Sequence, residues 1–320
     1  EIGSGLVGSE MCIRDRFSGN LSGKFREYYI KNLGDKKFNS LHSYWYFKSL
    51  TDDKILDAFS ITKGSIMIDS GAFTAWSKNI NIDVDEYINW INKWDKYVTL
   101  FGQIDVIPLP TMSKDEKAKC AKDTWDNFLY MYNRLNNPQK LLYTFHVGEP
   151  FEYLKQAMEF RDSQGRPLDY IALGGLVGKT TKIRDAFLTE AFNIIKTSSN
   201  PNVKVHGFGV SSEKMWRKYP FESCDSFTPG MNANHGFQCT EFGSYRSDDY
   251  NKIFKPRGRN PMEQVELDAI EQSKDDELLE EENNFRNDEK TKLLISNIEY
   301  WDNLANSINN QNYNVKKSLF

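Results

Sequence analysis

The chain has 320 residues, of which 39% are hydrophobic and 14% aromatic, enough to bury one large core. No apolar run reaches the roughly 18 residues that a membrane-spanning helix needs, so no transmembrane helix is expected. The formal net charge of −4 hides an asymmetry: residues 263–290 hold twelve acids against three bases, whereas residues 17–262 carry a net charge of about +5, a balance compatible with a polyanionic partner.

The chain opens on EIGSGLVGSEMCIRDR, residues 1–16, which has neither the apolar stretch of a signal peptide nor helical periodicity. It resembles the translation of a sequencing-adapter remnant and is set apart from the fold as a non-native segment, with a first strand expected around Phe17 to Gly19. From there to about Gly230, short β-rich runs alternate with amphipathic stretches, the pattern of βα units on a parallel sheet. The expected strands are SIMID (65–69), YVTLFGQIDVI (97–107), LLYTFHV (141–147), DYIALGG (169–175), VKVHGFG (203–209) and CDSFTPG (224–230). An eighth is expected within 237–256.

The intervening helices carry their own marks. Ser113 and Glu116 form a potential capping box, with Ala121, Trp125 and Phe128 on one face of the helix that follows. Leu154 and Met158 form a second stripe; Ile183, Phe187, Ala191 and Ile194 form a third. Eight strands with helices between them fit an α/β fold of the (β/α)8 TIM-type barrel class over residues 17–258. Neither a GxGxxG nor a Walker loop opens any helix, which argues against a doubly wound nucleotide-binding sheet. Residues 259–320 form an acidic C-terminal extension, helical or partly disordered, whose last helix has Leu294, Ile298, Trp301 and Ile308 near helical spacing.

Barrel active sites gather where strands end, and there the sequence places Asp69, Asp105, His146, the Gly174-Gly175 pair, His206 and Asp225. Each has a structural alternative: an Asx turn for Asp69, a backbone-bonded buried acid for Asp105, satisfied core histidines for His146 and His206, a simple turn for the glycines. Three aspartates from three strands would nonetheless meet at one mouth. The four cysteines, Cys12, Cys120, Cys224 and Cys239, show no CxxC spacing, which points to a reducing, cytoplasmic compartment without structural disulfides. Cys224, His235 and Cys239 lack metal-ligand spacing, and no metal or other cofactor is expected.

The motifs DSGAF (69–73), QID (103–105), ALGGLVG (172–178), HGFG (206–209) and CDSFTPG (224–230) stand in the order and at about the spacing found in tRNA-guanine transglycosylases, which are (β/α)8 barrels. The resemblance covers residues 17–240. It is closest to the phage and bacterial branch that exchanges guanine in DNA for a 7-deazaguanine, which this chain also resembles in SGNLSGKFREYYIKNLG (18–34). That resemblance implies Asp225 as nucleophile and Asp69 as general acid/base. The base-binding set would be Asp105, Gly174, Gly175, Leu176, His146, His206 and Gly207, with neutral histidines at 146 and 206. Its partners would be DNA with a flipped deoxyguanosine and a free 7-deazaguanine base such as 7-cyano-7-deazaguanine (preQ0), in the host cytoplasm if the gene is a phage's; accessory proteins fit the same picture, and a membrane does not.

Three departures from the tRNA enzymes bear on substrate. Only Cys239 lies where those enzymes carry a CxCxxC zinc site, Gly230 rather than Thr-Arg follows Pro229, and His146 stands in the place of a base-reading glutamine. Together they shift the expected substrate from tRNA to DNA. KPRGR at 255–259 supplies Lys255, Arg257 and Arg259 as an expected phosphate-contacting arm. Three alternatives stay open at this point: a related enzyme acting on RNA, a hydrolase on the same barrel, and a non-catalytic nucleic-acid-binding subunit.

Overall fold

The computed structural model describes residues 14–18, 38–78, 80–226, 229, 232–233, 235–240, 243–246 and 276–312. Eight parallel strands close into a TIM-like α/β barrel in the sequential order β1 to β8. They are β1 (Arg14–Ser18), β2 (Phe38–Ser43), β3 (Lys63–Asp69), β4 (Leu100–Gly102), β5 (Leu141–His146), β6 (Tyr170–Gly174), β7 (Lys204–Gly207) and β8 (Ser223–Ser226). The ring closes where Arg16 of β1 stands opposite Asp225 of β8. Between the strands run α1 (Tyr44–Phe47), α2 (Asp52–Thr62), α3 (Ala72–Ser77), α4 (Val84–Trp94), α5 (Lys114–Tyr132), α6 (Phe151–Glu159), α7 (Thr181–Thr197) and α8 (Glu213–Lys218).

Strands β5 and β6 are buried at every position, as parallel strands covered on both faces must be. Inside the barrel, Leu41, Met67, Leu100, Leu142, Tyr170 and Ala172 form one packed layer. Because successive side chains alternate between faces, the inward positions one step further along are Asp69 after Met67, Gly102 after Leu100 and Gly174 after Ala172. His146 lies two such steps beyond Leu142. Ala172 pairs with His206, and His206 with Ser223, so Asp225, two residues on, faces inward as well. The same periodicity that fills the core thus brings polar groups to its upper end.

The outer layer follows its sequence signals. α5 begins with the capping box, Ser113 Oγ accepting from Glu116 N–H and the Glu116 carboxylate accepting from Ser113 N–H. Trp125 and Phe128 of α5 meet Tyr143 of β5 edge-on, with ring centroids 5.2 and 5.7 Å apart. The third stripe is shorter than expected, since Ile183 is exposed while Phe187, Ala191 and Ile194 are buried. Cys120, Cys224 and Cys239 are buried. Among the described residues no helix is long and apolar enough to cross a membrane.

Four sequence expectations need correction. The first strand runs from Arg14 to Ser18, so Arg14, Asp15 and Arg16, set apart from the fold on sequence grounds, lie in the sheet. The remaining strand is Phe38–Ser43, not a segment of 237–256; FNSLHS lacks an apolar run because its polar groups pair internally, with Ser40 Oγ 3.0 Å from both His42 Nε2 and Thr62 Oγ1. Within 237–256 the chain instead forms an antiparallel hairpin, β9 (Phe237–Thr240) with β10 (Gly243–Arg246). The long strand expected over 97–107 shrinks to Leu100–Gly102, because α5 captures the backbone beyond it: Thr124 Oγ1 accepts from Val106 N–H, and Asn127 Nδ2 donates to the Ile104 carbonyl.

Two compact units emerge, one of residues 1–19, 37–227 and 302–320, the other of residues 20–36 and 228–301. All eight barrel strands belong to the first. In the second, Asn297 of α9 (Asp276–Asn312) is fully buried and pins the hairpin by accepting from Cys239 N–H at 2.7 Å and donating to the carbonyls of Phe237 and Pro229. Along α9, Trp301 and Ile308 are buried as expected, whereas Leu293 and Ile295 are buried in place of Leu294 and Ile298.

Gly64 fixes the register of β2 on β3, where the pairing shifts between Phe38 and Ser40. A Cβ at Gly64 would stand 2.2 Å from the Phe38 carbonyl oxygen. The backbone would have to yield, so Gly64→Ala is expected to destabilise the protein by about 1–3 kcal/mol and lower its melting temperature. An unchanged melting temperature would show that this register has slack.

Candidate functional site

Asp69 ends β3 after the buried Ile66, Met67 and Ile68. The chain then turns through Gly71, at φ +77°, whose N–H donates to Asp69 Oδ2 at 2.9 Å. Burial pushes the Asp69 carboxyl up to about 7; the Asp105 and Asp225 charges add to the rise, against the backbone hydrogen bonds of Gly71 and Ser70. The three expected aspartates therefore feel one another across one mouth. Tyr87 of α4 closes the floor beneath, its hydroxyl donating to the Gly102 carbonyl at 2.8 Å; burial, with the Asp69 charge second, holds that phenol well above its usual range.

Asp105 lies three residues past β4, and its Oδ2 is 2.7 Å from His146 Nε2. On the other side of the ring, Nδ1 is 3.1 Å from Glu149 Oε1, while Glu149 Oε2 accepts from the His146 backbone N–H at 2.9 Å. The imidazole is thus clamped between two carboxylates. Burial alone would lower its pKa, but Glu149 and Asp105 outweigh it and raise His146 to about 10. His146 is therefore an imidazolium at neutral pH, which corrects the expectation of a neutral ring. Gly174 makes room for it, since a Cβ there would stand 2.9 Å from His146 Cδ2. Gly175 has φ +72° and lies against Val147.

Asp225 ends the inward series on β8, and its Oδ1 accepts from Gly209 N–H at 2.8 Å. His206 Nε2 lies 3.4 Å from the same oxygen, while Nδ1 is 2.7 Å from Ser223 Oγ, itself 2.8 Å from the Tyr170 hydroxyl. A carboxylate beside Nε2 favours the proton on that nitrogen, so Nδ1 accepts from Ser223 and Ser223 accepts from Tyr170. Burial lowers the His206 pKa, and the opposing pull of Asp225 does not reverse it. His206 is thus neutral, as expected, with Nε2 near Asp225 but outside hydrogen-bond geometry.

The other expected residues divide. Leu176 is buried just past Gly175. Gly207 faces away from the mouth: a Cβ there would meet Phe221, Val210 and Cys224 within 3.1 Å, so its lack of a side chain serves packing. Lys255, Arg257 and Arg259 lie outside the described residues. Glu149, Gly209, Ser223 and Tyr170 were not singled out from sequence. Among the described residues, no three His, Cys, Asp or Glu side chains group as metal ligands. A separate cleft of about 550 Å³, lined among others by Tyr132, Gln139, Arg161 and Asp162, opens where β5 and β6 begin, away from the carboxylates.

Two outcomes follow from these charges. Asp69 binds its proton more tightly folded than unfolded, so its contribution to stability falls as pH rises from about 4 through about 7. Asp69→Asn removes that dependence and is expected to gain stability relative to wild type between pH 5 and pH 8, read by urea denaturation at both; a constant difference would refute the shift. His146 behaves in the opposite sense to an ordinary acid: its stabilising contribution is complete below pH 6.5 and is lost as pH rises through about 10. Glu149→Gln breaks the buried clamp, which is expected to cost about 3–5 kcal/mol and to lower the His146 pKa in an NMR titration; a ring still protonated at pH 9 would exclude Glu149 as its partner.

No protein-family model matches the chain, and no curated protein matches it.

Proposed function

We propose that the protein is a base-exchange transglycosylase that replaces guanine in DNA with a 7-deazaguanine through a covalent aspartyl-sugar intermediate. The observation that carries this reading is the division of labour among three converging carboxylates: Asp69 titrates near 7, Asp105 is engaged by an imidazolium, and Asp225 is held through one oxygen by a backbone amide. A glycosidic exchange with retention needs one nucleophilic carboxylate and one acid/base of pKa near the working pH.

In the first half-reaction an Asp225 oxygen bonds to C1′ of the flipped deoxyguanosine as the C1′–N9 bond breaks. Guanine leaves with the bonding pair and takes a proton from Asp69. In the second half-reaction the incoming deazaguanine gives its N9 proton to Asp69, N9 bonds to C1′, and the Asp225–C1′ ester breaks. Two inversions at C1′ retain configuration, and Asp69 ends protonated as it began. Gly209 N–H donates to Oδ1 of Asp225, and His206 Nε2 lies 3.4 Å from the same oxygen, which leaves Oδ2 for attack. Asp105 has one oxygen on His146 and the other free to accept from the donor edge of guanine. Extracting the base from a duplex costs a few kcal/mol, recovered by such edge contacts and by stacking.

The departures near Asp225 favour DNA over tRNA. Expression in cells supplied with 7-cyano-7-deazaguanine, followed by digestion of DNA and tRNA to nucleosides and mass spectrometry, is expected to show the deazaguanine in DNA, and Asp225→Ala to abolish it. Its appearance in tRNA alone would move the activity to RNA. Its absence from both pools, or its persistence with Asp225→Ala, would refute base exchange.

A further inference from the structure

The rim beside Asp69 carries features that the exchange chemistry does not use. α1 starts at the end of β2 and α3 at the end of β3, so both short helices stand on the same face of the barrel as the carboxylates. Phe73 and Trp76 of α3 are 63% and 51% exposed, and Tyr46 of α1 is 61% exposed. The Phe73 and Trp76 rings lie with centroids 5.9 Å apart at 38°. Trp45, which precedes Tyr46 in α1, is half-buried, with Lys48 Nζ 4.1 Å and Lys78 Nζ 5.4 Å from its ring centroid.

This rim is tied rigidly to the acid. Gly71 gives its N–H to Asp69 and at the same time receives Trp45, whose Cβ stands 2.5 Å from where a Gly71 Cβ would be. Substitution at Gly71 would therefore displace Trp45 and disturb Asp69 together.

Large aromatics seldom stay in water when a core is within reach, because each can bury about 150–250 Å². A cluster of exposed rings marks an interaction surface. Its charge selects the partner: residues 44–48 and 70–78 include Lys48 and Lys78 but no Asp or Glu. Flat rings bordered by cations suit a polyanion with flat faces, bases stacking on the rings while phosphates meet the ammonium groups. An acidic peptide would use the lysines but leave the ring faces unmatched.

We propose that Tyr46, Phe73 and Trp76, with Lys48 and Lys78, form a stacking platform for unpaired nucleotides next to the one held at Asp69, so that the protein binds single-stranded or locally opened DNA rather than an intact duplex. Its placement rests on the base-exchange reading; strand binding itself requires no turnover. The platform stacks the bases left unpaired when the reacting nucleotide is extracted, and the adjoining phosphates run over Lys48 and Lys78.

Fluorescence anisotropy with the full chain carrying Asp225→Ala, a labelled mixed-sequence single strand and no free base tests this without catalysis. The single strand is expected to bind more tightly than its duplex. Phe73→Ala and Trp76→Ala are each expected to weaken single-strand binding about tenfold, while Phe73→Tyr and Trp76→Phe retain it. Lys48→Gln with Lys78→Gln is expected to lower the slope of log affinity against log salt by about 1.4, roughly 0.7 for each charge. Equal affinity for strand and duplex, or unchanged binding in the alanine variants at unchanged melting temperature, would overturn the proposal. So would a Trp76 shielded from acrylamide in the free protein, which would mean the chain covers the face itself, or a dimer that dissociates on Trp76→Ala. Intact strand binding with no base exchange in cells would sink the enzymatic reading alone.

Discussion

Three carboxylates inside one desolvated barrel mouth cannot all stay charged and unpartnered. Two unit charges about 5 Å apart at an effective dielectric near 20 repel by about 3 kcal/mol, before the cost of burial is counted. Each acid is relieved differently. Asp69 keeps its proton until about neutral pH, Asp105 shares an imidazolium with Glu149, and Asp225 leans on the Gly209 amide and a neutral His206. The differences follow from what surrounds each group, since the side chains are chemically identical.

The two histidines show the same logic. Both rings are fully enclosed and both approach an aspartate through Nε2. Their Nδ1 neighbours separate them: a carboxylate for His146, a hydroxyl for His206. A second negative charge makes the first ring a cation, while a serine already supported by Tyr170 leaves the second ring neutral. The backbone contributes by omission, because Gly174 vacates the space His146 occupies and Gly71 vacates that of Trp45. A Cβ at Gly174 would press directly on the His146 ring, and one at Gly71 would press on Trp45 beside the amide that holds Asp69.

Most of the barrel was legible because its strands are apolar runs stopped by Asp, Gly or His, and a period of two carries those stops to the interior. Asp69, His146, His206 and Asp225 were found that way. β2 escaped because Ser40, His42 and Thr62 satisfy one another inside, so FNSLHS reads as polar although four of its six residues are buried. Asp105 was recognised on the wrong footing: it lies in a loop whose backbone α5 captures through Thr124 and Asn127, a contact between segments about twenty residues apart. Glu149 follows Gly148 in an ordinary turn, and only the backward fold of that turn onto His146 gives it a role. The charge of His146 was misjudged for the same reason, since one of its two partners was not in view.

The separation between Asp69 and Asp105 bears on the order of events in the proposed exchange. A neutral purine entering the mouth displaces water, and further desolvation raises the Asp69 pKa. The acid is therefore most fully protonated when the leaving guanine needs its proton. Once guanine departs with that proton, Asp69 becomes a carboxylate while Asp225 loses its charge to the sugar ester, so the net charge of the mouth does not grow. The incoming deazaguanine then meets a base rather than an acid. In that proposed scheme the two carboxylates on His146 take no part in the proton transfer, so the ring keeps its charge and holds Asp105 oriented as an acceptor.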